Sequence, residues 1–225
     1  MEKESKKVTN LLRNLLEKLI NKTDNNLISK SEIYELFEEE YNLYEKLEKS
    51  LNFREATLEK LMEIVNIQQV DNETKFEEWF SYKYELYEEE KSFLKELIKE
   101  NKFYLNSYNE QTLTVKFIGF ILNKVKFRNK KIKDWYEYSI SCKLNNWTLK
   151  GYPDFFVATG INEPKKPYFF LQEYKKSVNP TGNPEYQVLA AMLAAIEKNN
   201  TNTIKGGYII GAYWKFMILE KLGRT

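Results

Sequence analysis

A carboxylate and an ammonium stand two residues apart inside an apolar stretch of this chain: Glu173 and Lys175 in PYFFLQEYKKS, residues 167–177. Burying either charge without a partner is costly. If Tyr168, Phe169, Phe170, Leu171 and Tyr174 form a buried strand, something must compensate both charges. Side chains of a strand alternate between faces, which puts Phe169, Leu171, Glu173 and Lys175 on one side. A second carboxylate, Asp154, lies among Tyr152, Phe155, Phe156 and Val157 in LKGYPDFFVATG. The polar turn from Gly160 to Lys166 would let the two segments pair as neighbouring strands. Two carboxylates brought close raise one pKa unless a cation neutralises them. Hard oxygen ligands at one sheet edge suit Mg2+ or Mn2+, which bind one or two carboxylates and keep waters for a substrate phosphate.

The elements that must position these residues fall in two halves of opposite charge. Residues 1–100 hold 16 Lys and Arg against 24 Asp and Glu, net −8, while residues 101–225 hold 19 against 9, net +10. The first half has no Pro or Gly and repeats apolar residues at helical spacing, at Ile33, Leu36, Phe37, Tyr41, Tyr44 and Leu47, and again at Phe80, Tyr84, Tyr87, Leu94 and Ile98. About four helices are expected, with breaks near residues 23–26, 52 and 71–72. The acidic runs Glu38–Glu40 and Glu88–Glu90 read as solvated helix faces. All Gly and Pro lie beyond residue 118, where the sequence predicts strands at Tyr136–Leu144, Trp147–Ala158, Pro167–Lys175 and Gly207–Trp214. A helix over Gln111–Val125 precedes them. A second, Pro184–Lys198, begins with Asn183 as N-cap and Pro at the first helical position. The expected fold is α/β (α+β): a mixed sheet flanked by helices in residues 106–225, preceded by an acidic all-helical bundle or arm in residues 1–105.

Pro153-Asp154, eighteen intervening residues and Glu173-Tyr174-Lys175, set in a helix-strand-strand-strand-helix-strand order, resemble the PD-(D/E)XK nuclease superfamily. The resemblance covers about residues 106–220. It implies a restriction-endonuclease-like core in which Asp154 and Glu173 bind Mg2+ or Mn2+, with a further ligand from the Tyr174 carbonyl. Lys175 would position or activate the attacking water and offset phosphorane charge. Glu110, just before QTLTVKFIGFIL, stands where members often place another acid, and Gln187 in PEYQVLAAML where many place a glutamine. Ala191 departs from the subgroup that has tyrosine four residues after that glutamine. An acid two residues before a lysine recurs throughout this chain, at Glu4/Lys6 and Glu89/Lys91 for example; the apolar strand around it singles out Glu173. Read without the resemblance, Glu173 and Lys175 could be an exposed ion pair, Glu110 a first-turn acid favoured by the helix dipole, and Gln187 a surface amide.

Composition narrows the chemistry. The chain of 225 residues has a single cysteine, Cys142, and no histidine. Disulfides, cysteine clusters, imidazole bases and histidine metal ligands are excluded, leaving Asp, Glu, Lys, Tyr or water for acid-base work. Cys142 is expected to pack as a small hydrophobe. Mean hydropathy of −0.62, no apolar leader and no long apolar run predict a cytoplasmic protein without membrane contact. Lys126, Arg128, Lys130 and Lys131 in NKVKFRNKKIKDW, together with Lys176, are expected to meet nucleic-acid phosphates, with DNA favoured. Phe127, Trp135 and Tyr136 could stack bases. The leading expectation is a Mg/Mn-dependent nuclease, with the N-terminal helices available to form a homodimer. The alternatives are an inactive nuclease-like nucleic-acid-binding module, or a helical adaptor with a basic docking domain. A nuclease is expected to keep some activity in a fragment of residues 101–225.

Overall fold

The computed structural model describes residues 12–19, 21, 30–45, 49–70, 73–177 and 182–222. The chain divides into two compact units, Met1–Lys49 and Ser50–Thr225. In the first, residues 12–19 are helical, α1 spans Lys30–Glu45, and Leu15 and Leu36 are buried. The expected breaks at 23–26 and 71–72 lie outside the described residues. Among the described residues no helix is long and apolar enough to cross a membrane.

The second unit is a mixed α/β structure. Its elements are β1 (Lys49–Asn52), a 3-10 turn (Phe53–Glu55), α2 (Leu58–Met62), α3 (Glu73–Phe80) and α4 (Glu88–Asn101), followed by a helical run α5 over 110–125. Next come β2 (Ile132–Tyr136), β3 (Ile140–Leu144), β4 (Trp147–Gly151), β5 (Phe155–Thr159), β6 (Lys165–Lys175), α6 (Pro184–Asn199), β7 (Thr203–Ile210) and β8 (Tyr213–Glu220). Five strands form a sheet in the order β2-β5-β6-β7-β8, and three form a second sheet in the order β1-β4-β3. β6 and β7 are parallel, while the β2–β5, β5–β6, β7–β8 and β3–β4 pairs are antiparallel. Parallel neighbours need a crossover, and α6 supplies it.

Alternation along β5 shows how the sheet is sandwiched. Phe155 and Val157 pack with Leu113, Phe117, Ile118 and Leu122 of α5 on one face. Phe156 and Ala158 pack with α6 on the other, in a core that also takes Ile140, Trp147 and Leu149 of the smaller sheet. Helix α6 is therefore covered on two sides, which is why Val188 to Ile196 is buried without interruption and why alanines suit it. Asn183 caps it as expected, its side chain accepting from the Glu185 N–H, with Pro184 in the first turn.

Several expectations change. The first half is not all helix, and the α/β unit does not begin near residue 106. Leu51, Phe53, Ala56, Leu61 and Ile64 belong to the α6 core, and Leu97 to the α5 core, because the sheets need those apolar side chains to close their outer surfaces. The helical periodicity from Phe80 to Ile98 is broken at 81–87. There the Tyr84 hydroxyl and the Tyr87 N–H donate to Glu90, at 3.1 and 2.9 Å, and a new helix starts at Glu88. Phe80, Tyr84, Tyr87 and Ile98 are exposed; Leu97 is the buried residue. Glu38, Glu39, Glu88 and Glu89 are solvated as expected, while the Glu40 side chain lies outside the described residues. The basic run holds β2, and Gly207–Trp214 is not one strand but β7, a turn at Gly211 and β8. Gly211 has φ +57, a left-handed conformation that favours glycine. The core-facing residues of α5 do not include Phe120 or Val125, both exposed. Phe169 is also exposed: Val157 pairs with Phe170 and Ala158 with Tyr168, so Phe169 is the extra residue of a bulge.

Candidate active site

The bulge at Phe169 leaves Leu171, Glu173 and Lys175 on the α6 face of β6, while Tyr174 enters the α5 core. Across the strand pair, Phe155 faces Gln172. One step further along the antiparallel register is Asp154, at the mouth of β5 and opposite Glu173. Its Oδ2 accepts the Tyr174 N–H at 2.6 Å. Asp154 thus replaces a strand partner for a backbone donor and is fixed by it, on the same part of the sheet as Glu173.

Glu173 and Lys175 are both buried, at 7 % and 6 % exposure. Lys175 Nζ donates to Glu173 Oε1 at 2.9 Å and stands 3.7 Å from Oε2 of Glu110. Glu110 opens the first turn of α5, where Asn109 caps the helix by accepting the Thr112 N–H. Residues from β6 and α5 therefore meet at one ammonium. A cavity of about 650 Å³ opens beside them, lined by Glu110, Tyr136, Asp154, Lys175, Gln187 and Arg54 among others. That volume is within the usual range of ligand sites.

The charges do not balance. Four carboxylates, Glu110, Glu137, Asp154 and Glu173, stand around the cavity against two cations, Lys175 and Arg54. Burial raises Asp154 to about 6, against a smaller opposing effect of the Tyr174 hydrogen bond and the Lys175 charge. Burial, then repulsion from Asp154, raises Glu173 to about 7. Burial pulls Lys175 down, but the carboxylates of Glu173, Asp154 and Glu110 outweigh it and hold the group above its ordinary value. Lys175 is therefore a standing ammonium that can donate hydrogen bonds and positive charge.

These shifts have a sign for stability. The folded-state pKa of Asp154 lies above its value of 3.8 in the unfolded chain, so the folded state binds the proton more tightly. Its contribution is most favourable below pH 3.8 and is lost as pH rises through about 6. Asp154→Asn keeps an oxygen for the Tyr174 N–H and removes the charge. In metal-free buffer it is expected to stabilise the fold by on the order of 2 kcal/mol at pH 8, with the gain vanishing near pH 4. Urea unfolding of both proteins across that range checks this; a gain independent of pH contradicts it.

The donor set suits a hard divalent cation, which would relieve the excess of carboxylate charge. Among the described residues no group of three or more His, Cys, Asp or Glu could hold a metal ion. Two carboxylates with water or phosphate oxygens would have to complete its ligation, as is common for Mg2+.

The remaining expected residues divide. Gln187 is not a surface amide: it is 3 % exposed and its Oε1 has no hydrogen-bond partner. Lys126, Lys130 and Lys131 are exposed and Lys176 is half-buried, but none lines the cavity. Arg128 is held by Asp134 through hydrogen bonds of 2.6 and 3.2 Å, which engages the guanidinium within the protein. Phe127 and Trp135 pack in the core, leaving Tyr136 at the cavity. Cys142 is half-buried against the α6 core. Arg54 escaped the sequence reading, since its segment carries no motif and its place depends on packing far along the chain. Comparison with models of known families, with curated proteins and with solved structures finds no match to this chain.

Proposed function

We propose that the protein is a metal-dependent nuclease that hydrolyses phosphodiester bonds, with DNA as the favoured substrate. The observation that carries this reading is the convergence of Asp154, Glu173, Lys175 and Glu110 beside one cavity, with more carboxylate charge than Lys175 and Arg54 together neutralise. Asp154 and Glu173 would hold Mg2+ or Mn2+. Such an ion, when bound, polarises a phosphoryl oxygen and lowers the pKa of a coordinated water. Lys175, fixed on Glu173, offers its charge to the non-bridging oxygens as they gain negative charge. Glu110 and Asp154 help keep that lysine protonated. The parallel β6-α6-β7 crossover and the antiparallel β5-β6 pair are what a restriction-endonuclease-like core would need here. Lys126, Lys130 and Lys131 would serve flanking phosphates outside the cavity.

The test is incubation with labelled single- and double-stranded DNA and RNA. Cleavage is expected with Mn2+ or Mg2+ and is expected to stop with EDTA. Cleavage unaffected by EDTA, or no cleavage of any substrate with either ion, overturns the reading.

A further inference from the structure

We propose that Arg54 anchors a phosphate of the bound nucleic-acid strand beside the Asp154–Glu173 pair; this rests on the nuclease reading above. Arg54 lies in the 3-10 turn Phe53–Glu55, far along the chain from Asp154 and Lys175, and it lines the same cavity as they do. The turn is firmly held. Phe53 and Ala56 are buried in the α6 core, and the Asn52 side chain accepts the Arg54 N–H at 3.1 Å. With Phe53 and Ala56 in the core and Asn52 at the cap, the Arg54 side chain is left exposed at the cavity.

Two close approaches tie this turn to the site. Phe53 lies so near Gly151 that a Cβ there would come within 2.5 Å of the ring. Gly151 ends β4, and Asp154 follows three residues later. On the other side the Arg54 carbonyl lies 3.6 Å from where a Cβ on Gly182 would stand, and the same Cβ would strike the Gln187 amide. The Phe53–Arg54 turn therefore lies between the segments that lead to Asp154 and to Gln187.

Charge assigns the ligand. Lys175, the other cation lining the cavity, is already bound to Glu173. Among the described residues no hydrogen bond or ion pair engages the Arg54 guanidinium. A planar fork of five donors suits a phosphate by paired hydrogen bonds. Near it, Gln187 Oε1 is buried and without a partner, an acceptor suited to a hydroxyl or N–H of the same nucleotide.

The test measures binding of a short labelled DNA, single-stranded and duplex, to the full chain by anisotropy in EDTA over about 50 to 200 mM salt. Arg54→Ala is expected to weaken binding about tenfold and to lower the slope of log affinity against log salt by about one. Arg54→Lys should keep the slope and recover only part of the affinity. In the cleavage assay Arg54→Ala should raise KM more than it lowers kcat. Unfolding by urea should be unchanged for both variants, because the side chain is exposed. If wild type binds and cuts while Arg54→Ala matches it in affinity and slope, the assignment of Arg54 is overturned and the nuclease reading stands. A wild type that neither binds nor cuts overturns both.

Discussion

Lys175→Met and Asp154→Asn are each expected to lower metal-dependent cleavage about a thousandfold or more, equivalent to about 4 kcal/mol of transition-state stabilisation. The two variants remove different things. Lys175→Met keeps the stem that fills the buried site and deletes the ammonium 2.9 Å from Glu173. Asp154→Asn keeps the acceptor for the Tyr174 N–H and deletes the charge that would hold the ion. Alanine at 154 would strand that N–H, at a cost of about 1 to 3 kcal/mol, and would mix stability with chemistry. Single-turnover cleavage with matched circular dichroism checks the result. Because both groups serve one site, the double variant should lose little more than either single one. Activity within tenfold of wild type in both would remove the site from the mechanism.

A fragment of residues 101–225 is expected not to fold, despite containing every residue of the candidate site except Arg54. It lacks Leu51, Phe53, Ala56, Leu61 and Ile64 from the α6 core and Leu97 from the α5 core. At about 1.5 to 3 kcal/mol for each large buried side chain, the loss is on the order of 10 kcal/mol, comparable with the whole stability of a domain. It also removes β1 from the smaller sheet and leaves β4 with one partner. Removing residues 1–48 takes none of these residues. The check is a pair of urea melts: cooperative unfolding is expected for residues 49–225 and no cooperative transition for 101–225. A folded, metal-dependent 101–225 fragment would show that the early residues are an accessory.

The pair that matters most was legible because polarity broke an apolar pattern twice. Asp154 and Glu173 are surrounded by Tyr152, Phe155, Phe156, Leu171 and Tyr174, and strands so apolar rarely carry a carboxylate without a task. The helix α6 was legible from Asn183-Pro184 and its alanines. Other elements were hidden for definable reasons. Strand β2, IKDWY, sets Lys133 and Asp134 side by side at the end of a lysine-rich run, so no two-residue alternation marks it and it reads as a loop. The β7-β8 hairpin is concealed because only Gly211 interrupts the apolar run from Tyr208 to Trp214. Bulging at Phe169 changes which residues share a face, and only pairing with β5 reveals it. Arg54 depends on Phe53 reaching Gly151 from far along the chain, a contact that no local pattern encodes.

Titration of the wild-type protein with Mn2+, followed by calorimetry at pH 8 alongside Asp154→Asn, most directly tests whether the facing carboxylates form a cation site. Saturable binding to wild type, with loss of the signal in Asp154→Asn, is the expected result. Equal binding by both proteins, or none by wild type, would contradict it.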